Sequence, residues 1–220
     1  VHYEKVLLYA PGYIINTFRF CILAIIMCIL IGVPISWIMA RTQMRTRGAL
    51  DILTMLVLAL PGTALGIAYI RAFNTPILFT TPLANSWIIL PIVLAVRRLP
   101  YTVRSSYSSL LVVHHSMEEA AESVGAGGLK TFKDITLPLI WKGVLAGALF
   151  SFMTSIQESA ATLLLSIPGW ETMTMGIFTF YQGGTHGDAA ALGFILIVVG
   201  VITLYAVNKL SSVAQGGLFG

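Results

Sequence analysis

The side chains in this sequence that could do chemistry are few, and their spacing limits what that chemistry could be. His114 and His115 are adjacent, so on a helix they point about 100° apart, and they are read as structural or interfacial rather than as metal ligands. No metal site and no catalytic residue is expected. An enzyme would need a nucleophile beside its base, and a nucleotide hydrolase a G-x-x-x-x-G-K-[ST] loop to cradle phosphates; neither pattern is found. Cys21 and Cys28 are seven apart, on one helix face but about 10 Å apart along the axis, too far for a disulfide; they read as buried packing thiols. What remains is charged and polar groups inside apolar surroundings: Arg97, Arg98, Gln157 and Glu158. Such groups mark ion or substrate pathways, or proton relays. Gln157 and Glu158 are expected to face an aqueous vestibule. Arg97 and Arg98 either snorkel to an interface or line a wet, protein-walled region.

The elements holding these residues are built for lipid. The chain has 220 residues, 57% of them hydrophobic and 10% charged, with a mean hydropathy of +0.87, which places it in the membrane class. A hydrocarbon core of about 30 Å takes about 20 apolar residues in a helix. Five windows meet or approach this, at 14–39, 51–72, 85–103, 141–165 and 189–208, giving an all-α integral membrane fold as a single domain over 1–220. Nine of the thirteen Lys and Arg residues lie in two connections: Arg41, Arg45 and Arg47 after the first span, and Arg97, Arg98, Arg104, Lys130, Lys133 and Lys142 between the third and fourth. The positive-inside rule makes both cytoplasmic. The amino terminus is then outside, the carboxyl terminus inside, and the net charge of +4 needs no nucleic acid to explain it.

Pro34 and the Pro61–Gly62 pair predict bends in the first two spans. The third offers only the fourteen residues of LANSWIILPIVLAV before Arg97. In the fourth, Gly143, Gly147, Ser151, Ser155 and Ser159 recur every four residues, a row that lets helix backbones approach closely and predicts burial against protein, at a subunit interface or beside a pathway. The polar stretch 166–188 reads as an outer loop with a short amphipathic helix over 172–182.

The stretch SMEEAAESVGAGGLKTFKDITLPLI, 116–140, lies in a cytoplasmic connection running about 104–140. Ser116 and Glu119 form the S-x-x-E pattern of a capping box, predicting a helix from about Met117. Glu118, Glu119 and Glu122 suit its positive dipole end. Gly125, Gly127 and Gly128 stop it, and a second short helix is expected to end at Leu137 and Pro138.

Glu119, Ala120, Ala121, Gly125, Ile135, Leu137 and Pro138 fill every position of E-A-A-x3-G-x9-I-x-L-P. This resembles the cytoplasmic signature of binding-protein-dependent ABC importer permeases of the type I fold. The resemblance implies a five-span core whose loop helix couples the spans to an ABC ATPase dimer: Glu119 meets a basic group of the ATPase, Ala120 and Ala121 permit close docking, and Gly125 makes the turn. It implies a second permease half or copy, an extracytoplasmic substrate-binding protein, and the bacterial inner membrane as location. This chain would bind no cofactor; ATP and magnesium would belong to the partner. The stretches 59–76, 97–106 and 157–175 look most like permeases for ferric iron, a group that shades into permeases for 2-aminoethylphosphonate; those proteins commonly carry two such halves, and this chain resembles the C-terminal one. Outside this class, an ion-gradient-driven transporter or channel would use Glu158 as its buried carboxylate.

Overall fold

Pro11 stands in the first turn of a long helix, where its missing N–H has no partner to lose, and the apolar run behind it has nothing to stop it before Thr42. In a computed structural model, which describes residues 2–42, 45, 47–75 and 82–216, this helix is α2 (Pro11–Arg41), preceded by α1 (His2–Tyr9). There follow α3 (Arg47–Ala59), α4 (Gly62–Phe73), α5 (Ile89–Val112), α6 (His115–Ser123), α7 (Gly128–Thr131), α8 (Leu137–Ile156), α9 (Ala160–Leu165), α10 (Met173–Gln182) and α11 (His186–Gly216). No strand occurs among the described residues.

The bundle is arranged around α5, which packs against α2, α3, α8 and α9, while α11 covers α8 and α10. The main core takes Phe20, Cys21, Ala24 and Cys28 from α2 and Ile89, Leu90, Val93, Leu94 and Ala95 from α5, closed by Ile156, Ala161, Met173 and Leu192. Both cysteines are free and buried, and the Cys28 thiol donates to the Ala95 carbonyl at 3.3 Å. A smaller cluster of Val33, Leu110, Ile140 and Val144 lies toward α6. The opposite faces are apolar and exposed: Ile15, Ile22, Ile26 and Leu30 on α2, and Phe194, Ile197, Val201 and Tyr205 on α11. Such continuous apolar surface belongs against lipid. At the far end from α6, Asp188 is bound by His2 at 2.7 Å and Lys5 at 2.6 Å, tying α1 to the start of α11.

Several spans differ from their sequence reading. The second is two helices, α3 and α4, meeting at 108°; Pro61 removes a helical N–H and the chain turns rather than bends. Pro34, by contrast, lies inside an unbroken α2. The third does not stop near 103: α5 has 24 residues, about 36 Å of helix, so the connection to α6 is only Val113 and His114. The fourth ends at Ile156, before a break at 157–159 and the short α9. Toward its start, Leu137 and Pro138 terminate nothing. Residues 128–156 form one continuous helix through a π-helical turn, Phe132–Thr136, and Pro138 sits in the first turn of α8. The outer helix falls where expected, as α10. By length and composition three helices suffice to cross a membrane, four if α3 and α4 count as one span.

Candidate functional site

Two groups of polar residues are assembled by this bundle, one at the α6 end and one in its interior. At the α6 end, the capping box does not form: His114 is the N-cap, with no side-chain cap, and the helix begins two residues earlier than Ser116 and Glu119 imply. Glu119 instead lies on the exposed face, 3.2 Å from His115 Nδ1 one turn back. Ala120 is exposed beside it and Ala121 is turned inward. Gly125 adopts φ +87°, the left-handed conformation glycine tolerates best, and Ala126 donates to the Ala121 carbonyl at 3.0 Å; together these are a Schellman ending. Ile135 and Leu137 are half-buried and Pro138 is exposed. Val124 and Leu129, 86% and 84% exposed, stand out beyond the turn. The result is a short helix with an open, small-sided face and apolar knobs at its end.

Sequence reasoning assigned Glu118 only to the helix dipole. It is buried, with Oε2 2.8 Å from Arg41 Nε and Oε1 accepting from the Thr136 hydroxyl at 2.7 Å. The available signal was its position: three residues before inward-facing Ala121, it shares that residue's face.

In the interior, Glu158 sits in the break between α8 and α9. Its Oε2 lies 2.6 Å from Arg98 and 3.0 Å from Arg97, its Oε1 accepts from the Ala161 amide at 3.2 Å, and its carbonyl accepts from the hydroxyls of Thr162 and Thr174. Arg98 also donates to the Thr154 carbonyl at 2.9 Å. The two arginines are therefore paired inside the bundle. They lie in the first half of α5, and the helix runs on for fourteen residues beyond Arg98. Glu158 is 6% exposed and faces protein rather than a vestibule; Gln157 beside it is exposed. Gly62 makes this packing possible, because a Cβ there would run into the Arg97 guanidinium and lie 2.9 Å from Ala160 Cβ.

The small-residue row of α8 faces α5 within the same chain. A Cβ on Gly143 would collide with Ser109, and one on Gly147 would lie 2.7 Å from Ser105 Cβ. Ser105 donates to the Gly143 carbonyl at 2.7 Å, and Ser151 shares a hydrogen bond with Thr102 at 3.0 Å. Ser155 is buried, while Ser159 is exposed as the N-cap of α9. Among the described residues no group of three or more His, Cys, Asp or Glu is placed to hold a metal ion.

An all-helical bundle with apolar outer faces and helices long enough to cross a membrane is the architecture of an integral membrane protein, and comparison with known proteins gives its family. Residues 32–212 match the family model of the binding-protein-dependent transport system inner membrane component, and the chain belongs to that family, a multi-pass component of the inner membrane. It is 32% identical over 84% of its length to the ferric transport system permease protein FbpB of Actinobacillus pleuropneumoniae, of which it spans 27%. It is 31% identical over 88% of its length to the molybdenum transport system permease protein ModB of Escherichia coli K12, covering 90% of that protein. A putative 2-aminoethylphosphonate permease, PhnV of Salmonella typhimurium, is 27% identical over 90% of the chain. Among solved structures, the MetNI methionine ABC transporter aligns with TM-score 0.69 at 17% identity, over 97% of this chain and 98% of that one. The alginate ABC transporter bound to its periplasmic protein also aligns at 0.69. The fold is that of ABC importer permeases.

Proposed function

We propose that the chain forms one half of the translocation pathway of an ATP-driven importer and is coupled through α6 to an ABC ATPase dimer. The observation carrying this reading is the open face of α6, where Glu119 and Ala120 are exposed and the Gly125 turn closes the helix. A soluble protein can dock there closely because nothing bulky intervenes. Five crossings are inferred: α2, the α3–α4 pair, α5, α8 and α11, with the amino terminus outside. A second permease half or copy and an extracytoplasmic binding protein complete the machine. The chain itself does no chemistry and binds no cofactor; ATP and magnesium belong to the ATPase.

Ferric iron is the proposed cargo, supported by the identity to the ferric permease over most of this chain. An oxyanion or phosphonate is the second reading, favoured by similar identity to the molybdenum permease and by two arginines sharing one carboxylate. Glu119→Lys and Gly125→Asp are expected to abolish co-purification of the ATPase. Survival of that association in both variants, or uptake with ATP depleted and an ion gradient intact, would defeat the importer reading. Growth of a deletion strain on limiting iron, against growth on molybdate or on 2-aminoethylphosphonate as sole phosphorus source, separates the cargoes.

A further inference from the structure

Glu118 lies outside the E-A-A signature, yet it is the side chain through which α6 grips the rest of the bundle. We propose that Glu118 is a positioning residue for coupling, clamping α6 to the ends of α2 and α5 and to the π-helical turn entering α8. The inference rests on the importer reading above. A helix of nine residues is marginal by itself, and the outward face of α6, with Met117 45% exposed, gives it little to pack against. Its inward face is Glu118 and Ala121.

Each carboxylate oxygen of Glu118 has a partner from another element. Arg41, in the last turn of α2, holds one carboxylate oxygen at 2.8 Å, and the two side chains are 9% and 8% exposed. The same guanidinium donates through Nη2 to the Val113 carbonyl at 2.8 Å, the C-cap of α5. The other carboxylate oxygen takes the Thr136 hydroxyl, at the end of the π turn. One guanidinium and one carboxylate thus join four elements. The Arg41–Glu118 contact is an ion pair rather than an aligned hydrogen bond, since Nε has no hydrogen-bond acceptor; the Val113 and Thr136 bonds supply the direction, and burial shields the pair from the screening that weakens exposed ones. Glu119 lacks all of this: its side chain is 66% exposed. The two glutamates divide the work, Glu119 facing outward toward the ATPase and Glu118 holding the helix so that a push on it reaches α2, α5 and α8 together.

The test uses the complete importer, the full-length permease with its ATPase and binding protein, in proteoliposomes. For Glu118→Gln the ATPase should co-purify at the wild-type amount while ATP hydrolysed per substrate delivered rises about tenfold. Thr136→Val, which removes one hydroxyl, should raise it about threefold, and Glu118→Arg combined with Arg41→Glu should restore most of the coupling lost in Glu118→Gln. An unchanged ratio in Glu118→Gln overturns the clamp. So does loss of the ATPase in proportion to uptake, or failure of both Glu118→Gln and Thr136→Val to assemble, since Glu118 would then serve docking or folding. A wild-type importer without ATP-dependent uptake overturns the importer reading and the clamp with it; intact wild-type coupling with an unaltered Glu118→Gln removes the clamp alone.

Discussion

Glu158 faces two guanidinium groups, a backbone amide and, through its carbonyl, two hydroxyls, so α5, α9 and α10 converge on one residue. Two partly buried cations depend on this buried carboxylate for their counter-charge. Removing one partner of a buried pair costs far more than the pair contributes, because the remaining charge is left without compensation. Glu158→Ala is therefore expected to destabilise the permease by about 3 kcal/mol, and Glu158→Gln, which keeps an acceptor for Ala161, by less. Thermal unfolding in detergent measures both; an unchanged midpoint for Glu158→Ala would mean that water already solvates the arginines. The four polar residues were legible as unusual because they stand in apolar surroundings. Their pairing was not, since Arg97 and Glu158 are 61 positions apart, and only the antiparallel packing of α5 on α8, with a break placed after Ile156, brings them together.

At the scale of elements, the α5–α8 contact tests whether the small-residue row is a packing device. A Cβ on Gly147 would meet Thr102 Cα and the Tyr101 carbonyl, each at 3.1 Å, and backbone cannot move aside as a flexible side chain would. Gly147→Ala should force the helices apart and cost about 1–3 kcal/mol by overpacking. Gly193→Ala supplies the control: the nearest atom to its Cβ is Ile177 Cδ1 at 3.9 Å. There the gain in helix propensity, up to about 1 kcal/mol, should show. Equal effects of the two changes, read by the same unfolding assay, would dismiss the row as a packing device. Helices whose outer face meets lipid, such as α2 and α11, declare themselves by hydropathy. The central helix α5 does so only over its first part, because Arg97, Arg98 and Arg104 break its apolar run. Each finds a carboxylate in the bundle, the first two at Glu158 and Arg104 at Asp51, 2.8 Å away. A helix walled by protein has its polar groups matched by neighbours rather than by lipid, and a sequence does not show its neighbours. For the same reason Pro34 and Pro61 read alike while only the second, followed by Gly62 against Arg97, turns the chain.

For the whole molecule, the count of crossings turns on the α3–α4 pair, whose 108° angle fits either a broken span or a re-entrant loop. Arg41 and Glu118 are in contact, so the end of α2 and the start of α6 lie on one side of the membrane. Between them run α3–α4 and α5. If α5 crosses, α3–α4 must cross as well, or the two ends would be on opposite sides; the five-span proposal then puts the two termini on opposite sides, and the basic connections choose the amino terminus as the outer one. Asn74, exposed just after α4, reports the outcome. With Cys21 and Cys28 replaced by serine, Asn74→Cys should react with a membrane-impermeant maleimide from the same side as Gln182→Cys, the outside. Val124→Cys, 86% exposed at that position in the native chain, should react only after the membrane is opened. Labelling of Asn74→Cys from the Val124 side would make α3–α4 a re-entrant loop and would require α5 to stay within one leaflet. The pairing of its arginines with Glu158 and Asp51 lies within the bundle, so the Glu158→Ala measurement is independent of this outcome.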